Sequence, residues 1–123
     1  MGNRRRESSI SKKITPTSQA KRLIRIIGAD GQQFQDVEVE RMLKIRGVEM
    51  ALHRGWNGKG WSVSELKTGA SASCGRHATP ERAIEAAMMY SVLAIKSHGT
   101  IKAAIAYGLK QMKLRGIARG GLL

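Results

Sequence analysis

The chain has 123 residues and a formal net charge of +13, from 22 Lys and Arg against nine Asp and Glu. Its length suits one domain, and 41 % apolar residues are enough for a modest core. The composition excludes three classes of protein. A single cysteine cannot form an intramolecular disulfide, no apolar run reaches the roughly 18 residues of a membrane span, and no secretory signal follows the basic start.

The positive charge is concentrated at the two ends. Residues 1–27 carry eight basic residues and one acid, and residues 99–123 carry five basic residues and no acid. The stretch between them is nearly neutral, with nine basic and eight acidic residues. Basic groups that neutralise phosphates release condensed counterions, and this release drives sequence-independent affinity. The distribution is typical of a protein that binds nucleic acid.

In chain order, residues 1–17 are polar and basic, and we expect a disordered arm there, because so few apolar groups cannot offset the entropy of ordering. Residues 18–123 are expected to form a single domain. It opens with a β-hairpin, since Asp30-Gly31 separates two runs that contain apolar residues and both residues suit a tight turn with positive φ.

The following segment is predicted to be a short helix. Asp36 is a suitable N-cap for a helix over residues 37–46, which Gly47 would end. A continuous strand is the alternative, because Val37 and Val39 alternate with glutamates.

Residues 48–76 have the alternation of a three-stranded antiparallel meander, with strands expected over 48–54, 61–66 and 70–75. One face of this sheet is predicted to be apolar and to carry Val48, Met50, Leu52, Trp61, Val63, Ala70, Ala72 and Cys74. The opposite, outer face is predicted to carry Ser62, Ser64, Ser71 and Ser73.

Two helices are predicted after the meander. Thr79, followed by proline and glutamate, is the expected cap of the first helix, which Gly99 terminates. Residues 83–95 are apolar almost all round, so the sheet must cover one side and the C-terminal helix or a dimer partner the rest. The second helix begins at Thr100 and runs at least to Tyr107. The expected fold is α+β, with an antiparallel sheet packed on the C-terminal helices.

Residues 100–119 resemble a helix-turn-helix. The residues that carry the resemblance are Ala104 at the helix crossing, Gly108 at the turn, Leu109 after it, and Leu114 and Ile117 inside the second helix. The resemblance implies that Lys110, Gln111, Lys113, Arg115 and Arg119 point outward, with Gln111 and Arg115 reading base edges. One amphipathic helix with its basic residues in solvent is the alternative, and both provide a cationic surface.

Residues 46–90 resemble the AP2 DNA-binding domain, in which a helix follows three strands. The matching residues are Arg46, Gly47, Val48, Trp61, Gly69, Gly75, Thr79, Glu81, Ala83, Ala86, Ala87 and Tyr90. The resemblance implies a sheet whose outer face enters the major groove through Arg and Trp side chains. Here that face carries serines instead, so the resemblance implies the architecture alone.

Catalytic and metal-binding patterns are weak. Cys74 and His77 are three residues apart, but no second Cys or His pair completes a zinc site. The alternation of the third strand places the Cys74 thiol inward, where it would be inert. We therefore predict a non-enzymatic protein without a metal or another cofactor.

The predicted nucleic-acid contacts are basic residues of the two ends and a cluster at the first meander turn, where a tryptophan either stacks on a base or caps the core. They are Arg4, Arg5, Arg6, Lys12, Lys13, Lys21, Arg22, Arg25, Arg54, Trp56, Lys59, Lys102, Lys110, Gln111, Lys113, Arg115 and Arg119.

The predicted function is that of a small DNA-binding accessory or regulatory protein of the phage or plasmid type, in the cytoplasm or on the nucleoid. DNA is favoured over RNA as the partner, and no membrane partner is expected. The alternatives are a ribosome- or transcript-associated RNA-binding factor and a basic inhibitor or adaptor that binds an acidic groove of a host nucleic-acid machine. A homodimer or a host protein partner also stays open.

Overall fold

The computed structural model describes residues 22–28 and 31–123, which contain an antiparallel sheet of five strands and two helices. The strands are β1 (Leu23–Ile27), β2 (Phe34–Ile45), β3 (Val48–Arg54), β4 (Trp61–Glu65) and β5 (Gly121–Leu122), in the spatial order β4-β3-β2-β1-β5. The helices are α1 (Pro80–His98) and α2 (Ile101–Leu114). The α+β class is confirmed. The arm predicted over residues 1–17 lies outside the described residues.

The opening hairpin is confirmed, since β1 pairs with β2 in antiparallel register. Ile24 and Ile26, two residues apart on β1, are 0 % and 6 % exposed. The period of two places both side chains on one face of the sheet, where they pack with Val39 of β2 and Ala51 of β3.

The helix predicted over residues 37–46 is wrong, because β2 runs through almost all of this segment. Arg46 and Gly47 have φ angles of 50° and 82°. Positive φ at both central residues is the type I′ geometry, whose twist suits a two-residue hairpin turn. Gly47 therefore closes the β2–β3 hairpin and does not end a helix. With β1 on one side and β3 on the other, β2 forms hydrogen bonds along both edges.

The third meander strand, predicted over residues 70–75, is also wrong. This segment makes a single isolated bridge, between Ser71 and Ser64, and then leaves extended geometry at Cys74 and Gly75, whose φ angles are 54° and 93°. It lies along the free edge of β4, where the Ala72 N–H donates to the Val63 carbonyl at 2.7 Å, without forming a regular strand. The Ser73 hydroxyl accepts a hydrogen bond from the backbone N–H of Val63 at 3.0 Å.

The structure differs from two predictions about which side chains are exposed. Ser62, Ser64 and Ser73 are 7 %, 2 % and 0 % exposed, so three of the four serines expected on the outer face are buried and only Ser71 is exposed. Cys74, predicted to point inward, is exposed.

Two apolar clusters lie on opposite faces of the sheet. Direct cross-strand partners share a face, so Leu52 of β3 and its partner Val63 of β4 point the same way, toward Ala83 and Ala87 of α1 and Ile101 of α2. The second cluster occupies the other face near β1, where residues after β4 and the C-terminal strand cover it.

Both helices begin as predicted from their caps, and the first ends before Gly99 as predicted. The Thr79 hydroxyl accepts a hydrogen bond from the N–H of Arg82 at 3.2 Å, and Thr100 does the same for Ala103 at 3.0 Å. Gly99, with φ 89°, separates the two helices. The second helix extends beyond the predicted minimum, to Leu114.

Candidate nucleic-acid interface

Helix α2 carries a row of exposed lysines. Lys102 and Lys113 are eleven residues apart, about three helical turns and roughly 16 Å, so they lie on one side of the helix with Lys110 beside them. The exposed residues between them include Ala103 and Ala106, whose small side chains let a polyanion approach the helix closely. Residues 99–123 contain no acid, so sequence neighbours bring no negative charge to this row.

The turn expected at Gly108 does not form, because α2 passes through this residue without interruption. Gly108 has no heavy atom within 4 Å of the position where a Cβ would stand. The helix ends instead at Leu114, and Gly116, with φ 68°, follows its C-cap. Gly116 N–H donates to the carbonyl of Lys113, and Ile117 N–H donates to that of Met112, at 3.2 and 2.9 Å. This is the Schellman arrangement of a helix C-terminus.

The two residues expected to read base edges, Gln111 and Arg115, lie in different surroundings. Gln111 is half-buried, and it lies nine residues, about two and a half turns, after Lys102, on the opposite side of α2. Gln111 therefore does not belong to the lysine row, and its reading of base edges stays a prediction. Arg115 is exposed at the end of the helix. Arg119 is exposed in the segment that returns the chain to β5, which pairs with β1.

Arg25 is bound to an acid within the chain. Its Nε and Nη2 atoms donate to the two carboxylate oxygens of Asp36 on β2, at 2.7 and 3.0 Å. The hydrogen bond from the guanidinium, together with its charge, holds the pKa of Asp36 below its usual value. The Arg25 guanidinium is therefore paired with a carboxylate of the same chain. Arg22, one position before β1, is exposed.

The residues expected at the first meander turn do lie together. The Arg54 guanidinium is 4.5 Å from the centre of the Trp61 ring, a cation–π contact, and Lys59 is exposed. Trp56 is half-buried and packs against the cluster that contains Ile24. This packing agrees with the interpretation in which Trp56 caps the core, and stacking on a base stays a prediction.

The remaining predicted contacts belong to the N-terminal segment. Arg4, Arg5, Arg6, Lys12, Lys13 and Lys21 lie outside the described residues.

Sequence analysis missed a buried polar network on the outer face of β3 and β4. His53 is 1 % exposed, and its Nε2 lies 2.8 Å from the hydroxyl of Ser64, which is 2 % exposed. Its Nδ1 lies 2.6 Å from the carbonyl oxygen of Arg54. With a proton on Nδ1, His53 donates to that carbonyl and accepts the Ser64 hydroxyl. Burial lowers the pKa of His53 and favours this neutral form.

An open cleft of about 700 Å³ lies beside this network, with Trp56 and Arg76 among its lining residues. The serines at its base have internal partners: the Ser62 and Ser73 hydroxyls donate to the Gly75 carbonyl, at 3.1 and 2.8 Å. These bonds explain why polar side chains are stable in this buried position. Ser64 and His53 also line the cleft, although they are only 2 % and 1 % exposed, and their contact holds the two side chains together at its base. The sequence could have predicted this network, because the alternation of β3 and β4 places His53, Ser62 and Ser64 on one face of two adjacent strands.

A second cavity, of about 450 Å³, lies between the two helices and residues 68–74. Among the described residues that line it, Glu65 supplies the carboxylate, which is 6 % exposed and accepts hydrogen bonds from the hydroxyl and the N–H of Thr68, at 2.6 and 3.0 Å. This carboxylate stabilises the turn after β4.

Within residues 22–28 and 31–123, no three His, Cys, Asp or Glu side chains come together as a metal site. Neither helix in this described part of the chain is both long and apolar enough to cross a bilayer.

Comparisons with known protein families, characterised proteins and solved structures gave no match to this chain. The candidate interface therefore rests on charge and geometry, and its main element is the lysine row of α2.

Proposed function

We propose that this protein binds nucleic acid through its phosphates and is not an enzyme. The observation that carries the proposal is the exposed row of Lys102, Lys110 and Lys113 on α2, in a region of the chain with five basic residues and no acid. Lysine ammonium groups on one side of a helix can each neutralise a phosphate, and the released counterions supply the affinity.

Double-stranded DNA is the proposed target. The major groove of B-DNA is about 12 Å wide and admits an α-helix, whereas that of duplex RNA is narrow and deep. The half-buried position of Gln111 supports contacts with the backbone more than with base edges. A weakly sequence-selective accessory protein, acting in the cytoplasm or on the nucleoid, agrees with these features.

The test is the salt dependence of binding by a variant that lacks the row. Lys102→Gln, Lys110→Gln and Lys113→Gln together remove three charges from α2. The slope of log affinity against log salt concentration should become shallower by about 0.9 for each phosphate of B-DNA that the variant no longer neutralises.

A matched control removes the same charge elsewhere, through Arg41→Gln, Lys44→Gln and Lys67→Gln, all of them exposed. This variant should keep a slope close to that of the wild type. Equal weakening by both sets would mean that net charge alone acts, without an α2 interface. Tight binding to an acidic protein without binding to DNA or RNA would reject the proposed function.

A further inference from the structure

A patch of large apolar side chains on helix α1 is exposed within the described part of the chain. Met88, Met89, Val92 and Leu93 are 53 %, 70 %, 42 % and 53 % exposed, although the opposite side of the same helix is buried in the core. Four such side chains in two helical turns form one contiguous apolar surface, and surfaces of this kind usually mark an interaction site. We call these four residues the α1 patch.

The α1 patch is bounded by charges of opposite sign. Glu85 lies one turn before it and Lys96 lies one turn after it, and both are exposed. The residues Glu85, Met89, Val92 and Lys96 follow spacings of four, three and four, the repeat of a helix that packs along a second helix.

This order of residues is complementary to itself when reversed. A two-fold axis that passes midway between Tyr90 and Ser91 brings together positions equally distant from that point. Met89 then lies against Val92 of a second copy, and Glu85 lies against its Lys96. In this arrangement the apolar centre of the helix face packs on the apolar centre of the second copy, and each charged end lies beside an opposite charge.

The charges also select the orientation. In a parallel pair of α1 helices, Glu85 would face Glu85 of the second copy and Lys96 would face Lys96, so both ends would repel. In an antiparallel pair both ends attract. Beside the patch, a groove of about 310 Å³ leads toward β2 and is lined by Leu43, Ile45, Ile84 and Met88 together with Lys44 and Arg46.

We propose that the protein forms a symmetric homodimer through antiparallel packing of α1 on α1 of a second copy. The α1 patch forms the centre of this interface, and the Glu85–Lys96 pairs lie at its two ends. The proposal does not depend on nucleic-acid binding, because it concerns a different helix and is tested without nucleic acid.

The first experiment measures the mass of the full chain by sedimentation equilibrium over a concentration series. The expected mass at high concentration is twice the 13.4 kDa of one chain. Met89→Glu should give the monomer mass, with an unchanged circular dichroism spectrum because Met89 is exposed. Leu114→Glu is the matched control: Leu114 is also 70 % exposed, but it lies on α2, so this variant should remain a dimer.

The second experiment tests the orientation by charge reversal. Glu85→Lys alone places two lysines at each end of the interface and should raise the dissociation constant at least tenfold, as should Lys96→Glu alone. The double variant E85K/K96E restores opposite charges and should return the constant to within a few-fold of the wild type. Glu85 and Lys96 of one chain are three turns apart, so rescue requires contact between copies.

A monomeric wild type, or a dimer that persists in Met89→Glu, would overturn the proposal. Failure of E85K/K96E to recover would overturn the antiparallel arrangement. A wild type that associates only after removal of residues 1–21 would mean that this segment, and not a second copy, covers the α1 patch, which also overturns the proposal.

Discussion

At the scale of single residues, the outer face of β3 and β4 shows how polar side chains become part of a core. His53 satisfies both ring nitrogens inside the protein, with the Ser64 hydroxyl on one side and the Arg54 carbonyl on the other. A buried polar atom without its partner keeps the full penalty of leaving water. These contacts are therefore stabilising only as a complete set.

Replacing Ser64 by alanine should lower the free energy of unfolding by about 1–3 kcal/mol, because Nε2 of His53 would be buried without a partner. Urea denaturation at neutral pH measures this decrease. Ser97→Ala, at an exposed position of α1, should change the midpoint little. A Ser64→Ala variant as stable as the wild type would contradict the hydrogen bond described here.

The His53 ring also predicts how stability changes with pH. Burial lowers its pKa in the folded state below the ordinary 6.5, so the unfolded chain binds more protons as the pH falls. The contribution is complete above about pH 6.5 and is lost as the pH falls through the lower pKa of the folded state. Compared with wild type, His53→Gln should lose less stability between pH 7 and pH 5 in the same denaturation experiment. Parallel curves for the two proteins would contradict the prediction.

At the scale of elements, three glycines determine where helix α2 ends and how closely the C-terminal segment packs beside β1. Gly108 lies inside α2 with open space around its missing Cβ, whereas a Cβ on Gly120 would collide with the backbone carbonyl of Arg25. The first glycine therefore only weakens a helix, and the second lets the chain pack closely beside β1. Gly116, with positive φ, separates these two parts by ending the helix.

Gly108→Ala should stabilise the protein by about 0.5–1 kcal/mol, since alanine has the higher helix propensity. Gly120→Ala should destabilise it by about 1–3 kcal/mol, because the backbone of β1 must move. Thermal unfolding of the two variants beside wild type measures both effects. A destabilising Gly108→Ala would argue for a turn at this residue and against the continuous helix.

At the scale of the whole molecule, the distribution of charge separates a nearly neutral middle from two basic ends. The described C-terminal end is not a loose tail, because β5 pairs with β1 and the Leu122 N–H donates to the Leu66 carbonyl at 2.9 Å. Its basic residues are therefore carried on folded structure, and α2 presents most of them on one side.

Deleting residues 1–13, which carry Arg4, Arg5, Arg6, Lys12 and Lys13, should weaken DNA binding for every sequence tested. The salt slope should become shallower by about 0.9 for each phosphate that the segment neutralises. Fluorescence anisotropy with several duplexes over a salt series measures both effects. An unchanged slope would remove this segment from the mechanism and leave α2 as the interface.

Local patterns predicted most of the elements correctly. Thr79 and Thr100 predict helix starts because each side chain accepts a hydrogen bond from the N–H three positions later. The alternation in β3 and β4 predicts strands because successive side chains point to opposite faces of a sheet. The candidate site was predictable in the same way, as far as the lysines of α2 are concerned. The orientation of Gln111 was not, because it depends on whether α2 continues past Gly108.

By itself, the sequence determined the α+β class, both helix starts and the cationic character of the C-terminal third, because each depends on residues within a few positions or on composition. Only the tertiary structure decided that β2 is a strand, since pairing with β1 and β3 outweighs a weak helical spacing. It also decided that Ser62, Ser64 and Ser73 are buried, because His53 and the backbone after β4 supply their hydrogen-bond partners. Periodicity places side chains on a face, and long-range packing determines what covers that face.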